Sequence, residues 1–67
     1  MNAKGFQPTD YVTVNVRHIG SVSIGGLFAK NSTVYEKIDR NRGRGVWGTD
    51  EGKTVTVCGS VVPLARR

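Results

Sequence analysis

The chain has 67 residues, which is enough for one domain and too few to bury a large core. Ten Lys and Arg residues against five Asp and Glu residues give a formal net charge of +5. This imbalance favours an acidic partner, such as nucleic acid or an acidic protein surface, although a charge of this size also keeps a small domain soluble. No apolar run approaches the roughly 20 residues of a membrane span, so we expect no membrane association.

The chain has too few cysteine and histidine residues for a disulfide or a metal site to stabilise the domain. Cys58 is the only cysteine and His18 the only imidazole, so we expect neither an internal disulfide nor a metal site. One unpaired cysteine and an N-terminus without the apolar stretch of a signal peptide suit a cytoplasmic protein. Stability must then come from an efficient core or from a second copy, which leaves a homo-oligomer open.

The N-terminal half shows apolar residues at alternate positions. Residues 1–9 lack this pattern, so we expect a loosely ordered arm before a single domain over residues 10–65. Val12, Val14 and Val16 share one face of a first predicted strand over residues 11–17. A short second strand is predicted around Val22 and Ile24.

The third predicted strand follows a polar turn at residues 30–32. It covers residues 33–38, with Val34 and Ile38 on one face and Tyr35 and Lys37 on the other. Alternation of this kind predicts that one face packs on the core and the other meets solvent.

Two more strands and a tail complete the predicted fold. The fourth strand is short, at residues 46–47, and the fifth covers residues 54–58 with Val55 and Val57 inward. Pro63 cannot donate to a central ladder, so the tail is predicted as a 3₁₀ turn or an edge strand. The sequence therefore predicts an all-β, five-stranded barrel with a short 3₁₀ turn near the C-terminus, either SH3-like or OB-like.

Several residues after position 26 follow a recurring pattern: Phe28, Asn31, Tyr35-Glu36-Lys37, Gly52 and Val61-Val62-Pro63-Leu64. In this pattern the chain resembles small phage-encoded SH3-like proteins, most of which have no known activity. Ser32 stands where those proteins usually have a glycine, and the basic stretch after residue 39 is not part of the pattern. The resemblance implies an SH3-like fold and an origin in a phage or another mobile element.

Catalytic chemistry is not expected. His18 has no local partner, and Cys58 is predicted to be a packing residue. Gly43-Arg44-Gly45 is not followed by Lys-Ser/Thr or by a predicted helix, as a phosphate-binding loop would require. We therefore predict a binding protein that is not an enzyme and has no catalytic residues, metal or cofactor.

The excess positive charge is concentrated around residues 40–45, with the sequence Arg-Asn-Arg-Gly-Arg-Gly. Arginine forks onto phosphate oxygens and stacks on bases, and glycines let a backbone approach a ligand closely. Nearby aromatic residues would add stacking faces for single-stranded DNA or RNA. The predicted nucleic-acid-binding residues are Lys30, Tyr35, Lys37, Arg40, Arg42, Arg44 and Trp47.

Other interpretations of these features remain open at this stage. Trp47 is as compatible with a core position as with a stacking platform, and the Arg-Gly stretch also fits a solvated hairpin tip. The alternative function is a module that docks on an acidic host protein, through its basic patch or by pairing along the edge of residues 11–17.

Overall fold

A computed structural model describes residues 7–67 as an antiparallel β-structure. It contains 3₁₀ helices at Pro8–Asp10 and Ile19–Ser21, and strands β1 (Tyr11–Thr13), β2 (Arg17–His18), β3 (Leu27–Lys30), β4 (Thr33–Asp39), β5 (Arg42–Gly48), β6 (Thr54–Thr56) and β7 (Ser60–Arg66). The sheet order is β1-β7-β3-β4-β5-β6, and β2 also pairs with β7. The mostly-β prediction is confirmed, and no helix of the described chain is long and apolar enough to cross a membrane.

The C-terminal tail is an interior strand, so its prediction as a 3₁₀ turn or an edge strand was wrong. β7 pairs with β1 and β2 along one side and with β3 along the other. Both 3₁₀ helices of the described chain lie in its N-terminal part. Of the predicted arm over residues 1–9, the first six residues lie outside the described chain.

Pro63 interrupts the ladder beside it, which explains why residues 11–17 do not form one strand. β1 pairs through Thr13 and Leu64, and pairing resumes only at Arg17 and Val61. Between these points Pro63 accepts a hydrogen bond from the Val14 backbone N–H at 3.0 Å, but as a proline it has no N–H to return. One of the two backbone hydrogen bonds that this pair of residues would otherwise form is therefore missing, and the predicted first strand is split into β1 and β2.

Apolar side chains pack on both faces of the sheet. Ile19, Val22, Phe28, Tyr35, Val57 and Val61 form the main core, and Val34 and Val46 form a second cluster with Tyr11, Leu27 and Leu64. Val57 is buried and Val55 packs half-buried against the main core, as predicted.

Other burial predictions fail because local alternation does not show which face is covered. Val12, Val14 and Val16 are all at least 38% exposed, because the split strand leaves them outside the core. Val22 and Ile24 do not form a strand: Val22 is buried after the second 3₁₀ helix, whereas Ile24 is exposed.

The predicted polar turn after β3 is confirmed. Asn31 and Ser32 both have positive φ, 53° and 61°, and join β3 to β4 as a two-residue hairpin. A turn with two left-handed residues matches the twist of the strands on either side, so Ser32 takes a conformation that glycine would adopt more easily.

Candidate nucleic-acid interface

The basic Arg-Gly stretch is part of a strand and not a flexible loop. The chain reverses at residues 40–41, and β5 begins directly at Arg42. β5 pairs with β4 on one side and with β6 on the other. The loop prediction therefore holds for the turn at residues 40–41 and was wrong for residues 42–45, and the arginines of β5 are held by a paired backbone.

The glycines of this stretch serve packing, which also corrects the expectation that they admit a ligand. A Cβ on Gly43 would lie 2.6 Å from Phe28 Cζ, inside the main core. A Cβ on Gly45 would overlap the backbone carbonyl of Asp50, and Gly45 exchanges backbone hydrogen bonds with Gly52 and Lys53 at 2.8 Å. These two positions lack side chains because the core and the turn after β5 lie directly against them.

The arginines alternate with these glycines and therefore lie on the opposite face of β5. Gly43 is buried, whereas Arg42 and Arg44 are exposed. Across the neighbouring strand, Arg42 lies opposite Thr56 and Arg44 opposite Thr54. Opposite residues of an antiparallel pair share a face, so the two arginines are flanked by two hydroxyl side chains.

Trp47 belongs to the same face as the arginines. It pairs with Val34, while Arg44 pairs with Glu36, and residues 34 and 36 of β4 point to the same side. The register shift at Val34/Tyr35 makes Val46 the extra residue of a β-bulge. Trp47 is 41% exposed, so it is neither a buried core residue nor a fully open platform. We call Arg42, Arg44 and Trp47 the arginine face.

Two acidic residues lie on this face: Glu36 is opposite Arg44 in the register, and Asp39 is bonded to Arg42. Arg42 Nη2 donates to Asp39 Oδ2 at 2.7 Å, and the Arg40 backbone N–H donates to Asp39 Oδ1 at 2.8 Å. The hydrogen bond from Arg42, followed by that from the Arg40 backbone, lowers the pKa of Asp39. Both members of the ion pair are about half exposed, so the pair contributes little to stability and can exchange for another anion.

Tyr35 and Lys37 face the core, which corrects their prediction as accessible binding residues. Tyr35 is 1% exposed, its ring stacks on Phe28 with centroids 5.5 Å apart, and its hydroxyl donates to Asp50 Oδ2 at 3.1 Å. Burial, and then the Asp50 hydrogen bond, raise the pKa of Tyr35. Lys37 is 5% exposed. Neither side chain lies on the exposed surface of the sheet.

The remaining predicted residues are distributed around the sheet. Lys30 is half-buried at the end of β3, and Arg40 is exposed at the tip of the β4–β5 hairpin. Cys58 is exposed, so its prediction as a packing cysteine was wrong, although it directly follows the buried Val57.

Sequence reasoning did not anticipate that Thr54 and Thr56 flank the arginines or that His18 and Arg40 line one cavity with Lys37. His18 is distant in sequence from Lys37 and Arg40, as Thr54 and Thr56 are from the arginines, and only the tertiary fold brings each group together. No three His, Cys, Asp or Glu side chains within residues 7–67 are grouped as a metal site requires.

Comparison of the chain with protein-family models, with curated proteins and with solved structures found no match. The resemblance to phage-encoded SH3-like proteins therefore stays an expectation.

Proposed function

We propose that this protein binds single-stranded DNA or RNA through the arginine face and does not catalyse a reaction. The observation that carries the proposal is the pair of exposed arginines at alternate positions of β5, on a backbone paired on both sides. A strand rises about 3.4 Å per residue, so the two Cα atoms are separated by roughly 7 Å. Such a spacing suits contacts to successive phosphates of an extended strand.

Arginine provides the chemistry that this contact needs. Its guanidinium offers parallel N–H donors that match two phosphate oxygens, and its plane also stacks on bases. Thr54 and Thr56 add hydroxyl groups beside Arg44 and Arg42 on the same face. Hydroxyl side chains commonly contact phosphate and sugar oxygens, which positions a strand without reading its sequence.

Trp47 supports a single-stranded ligand in particular. It lies on the arginine face and remains 41% exposed, so part of its indole can contact a base. Stacking of a base on an aromatic side chain is worth about 1–3 kcal/mol and tolerates any base. Bases in a duplex are already stacked and are less accessible to such a contact.

The Asp39 ion pair affects the strength of this binding. Phosphate must compete with the Asp39 carboxylate for Arg42, because the two groups are joined at 2.7 Å. Asp39→Asn keeps an oxygen that can accept from the Arg40 N–H but removes the charge opposed to phosphate. We expect this variant to bind single-stranded oligonucleotides a few-fold more tightly in a fluorescence-anisotropy titration, and unchanged or weaker binding would argue against Arg42 as a phosphate contact.

A second candidate function is docking on an acidic host protein, and one observation favours it. Val12, Val14 and Val16 are exposed along the segment that pairs with β7. Exposed apolar side chains beside a strand edge suit pairing with another chain, including a second copy. A partner captured from a host lysate that survives nuclease treatment, together with no oligonucleotide binding at low salt, would favour this function.

A further inference from the structure

A cavity of about 410 Å³ lies beside the β4–β5 hairpin tip, away from the arginine face. Its walls include the start of the second 3₁₀ helix, the hairpin tip and the segment after β6. Ile19 and Val57 lie behind this space and are only 3% and 1% exposed, and three basic side chains line it: His18, Lys37 and Arg40. No lining residue among those described is acidic. The volume is within the range of small-molecule sites.

Lys37 is a buried cation without a carboxylate partner in the described chain. Its Nζ donates to the backbone carbonyls of Ile19 at 2.9 Å and Val22 at 2.7 Å. An ammonium carries three N–H donors, so a third remains beyond these two bonds. Neither the ion pair of Arg42 with Asp39 nor that of Lys53 with Asp50 neutralises Lys37. A bound anion would supply the missing negative charge.

His18 and Arg40 add two further donor groups. The Gly20 backbone N–H donates to His18 Nδ1 at 3.0 Å, so Nδ1 is the acceptor and a neutral ring carries its proton on Nε2. The Arg40 guanidinium makes no hydrogen bond or ion pair within the described chain, although its backbone N–H is bound to Asp39. An ammonium, an imidazole N–H and a guanidinium therefore line one apolar cavity.

We propose that this cavity binds the terminal phosphate monoester of a nucleic-acid strand. The inference rests on the proposed function and names the part of the ligand that this second site recognises. A phosphate monoester carries a charge of about −1.5 to −2 at neutral pH and three acceptor oxygens. An internal phosphodiester carries one charge and has chain on both sides. The monoester therefore matches three donor groups in a cavity better than an internal phosphate does.

A free mononucleotide presents the same chemistry, and the test separates the two sources. Short labelled oligonucleotides of one sequence, with a 5′-phosphate, a 3′-phosphate or hydroxyl ends, are titrated by fluorescence anisotropy at fixed salt. We expect at least one phosphorylated end to bind roughly tenfold more tightly than the hydroxyl form, as charge-assisted hydrogen bonds imply. Adenosine monophosphate, followed by NMR and used as a competitor, reports on the free nucleotide, with adenosine as its control.

Arg40→Ala is the decisive variant, because the Arg40 side chain is exposed and its loss should not unfold the domain. It should remove the preference for a phosphorylated end. Arg17→Ala is the matched control: it removes the same charge from an exposed strand residue outside the cavity and should leave the preference intact. The readout is the ratio of affinities for phosphorylated and hydroxyl oligonucleotides, which a general loss of positive charge does not change.

Each outcome bears on one proposal separately. Equal binding of phosphorylated and hydroxyl ends would overturn the cavity proposal while leaving the arginine face intact. A preference that persists in Arg40→Ala would also overturn it. If adenosine monophosphate binds but oligonucleotides with phosphorylated and hydroxyl ends bind equally, the proposal that the ligand is a strand end would be overturned. Failure of every oligonucleotide to bind would overturn the proposed function, and with it the proposal that the cavity binds a strand end.

Discussion

Lys37 shows most clearly where residue-scale reasoning from the sequence fails. Alternation in residues 33–38 correctly places Tyr35 and Lys37 on one face of the strand. Because Val34 and Ile38 lie on the other face, the sequence suggests that the face with Tyr35 and Lys37 is exposed. In the structure both faces of β4 pack, Val34 in one cluster and Tyr35 in the other. Lys37 can be buried because it donates hydrogen bonds to the carbonyls of Ile19, which begins the second 3₁₀ helix, and Val22, which follows that helix. Nothing in the local sequence indicates those acceptors.

Replacing Lys37 with methionine tests its structural role. The change keeps an unbranched side chain that is one atom shorter, but it leaves the Val22 carbonyl without its donor. We expect a loss of about 1–3 kcal/mol in the free energy of unfolding, as for other buried acceptors that lose a partner. Urea denaturation gives the value, with Lys30→Met as the control at a half-buried lysine at the end of β3. An unchanged midpoint would show that these two hydrogen bonds contribute nothing.

Tyr35 provides a pH-dependent test. Its pKa is raised by burial and by the Asp50 carboxylate, so the folded state favours the neutral phenol. The corresponding stability is fully present below the unfolded pKa, about 10, and is lost as pH rises through the folded pKa. The fall in unfolding free energy above about pH 10 should therefore be shallower in Tyr35→Phe than in the parent chain. Tyr11→Phe serves as the comparison, and identical slopes in the parent and Tyr35→Phe would contradict this account.

At the scale of elements, β5 explains how a sequence typical of a flexible loop forms a strand. Glycine has low strand propensity, and an Arg-Gly repeat indicates a loop when considered locally. Gly43 and Gly45 instead fit where the Phe28 ring and the Asp50 backbone approach most closely. The sequence could predict the basic character of this segment and the turn after it. The close approach depends on residues from two other parts of the chain and could not be predicted.

The glycines of β5 should tolerate substitution poorly. Gly45→Ala places a methyl group on the Asp50 carbonyl, and we expect a loss of about 3 kcal/mol or more because backbone must move. Gly52→Ala is the comparison: its Cβ meets open space, so only its left-handed φ of 86° is unfavourable, at about 1–2 kcal/mol. Thermal or urea unfolding compares the two variants. A smaller loss at Gly45 than at Gly52 would show that β5 is not packed as described.

Pro63 was expected to place the tail at the edge of the sheet, but it interrupts the neighbouring strand instead. The sequence pattern indicated a peripheral tail, yet β7 is paired along both sides. The missing N–H is accommodated by breaking the neighbouring strand, between Thr13 and Arg17. The presence of both strands was therefore predictable from the sequence. Which of them would be interrupted depends on their pairing, which a single sequence does not reveal.

At the scale of the whole molecule, composition and alternation predicted the mostly-β architecture and the basic character, and the structure determines which charges act together. Of the seven predicted site residues, three share the arginine face, Tyr35 and Lys37 are buried, Lys30 is half-buried at the end of β3, and Arg40 lines a separate cavity together with Lys37. The net charge of +5 gives the molecule a long-range attraction for polyanions. The two exposed arginines of β5 add a defined place for contact, so binding should depend on position as well as on charge.

The most direct test of this account is the salt dependence of binding to a labelled single-stranded oligonucleotide, measured by fluorescence anisotropy between about 50 and 200 mM salt. Arg42→Ala combined with Arg44→Ala is compared with Arg17→Ala combined with Arg67→Ala, which removes the same charge elsewhere. We predict that affinity falls steeply with salt, and that only the first pair lowers the slope of log K against log salt by about 1.4, for two lost phosphate contacts on a single strand. Equal effects of the two pairs, or no binding by the parent protein at low salt, would contradict the arginine face as a nucleic-acid interface.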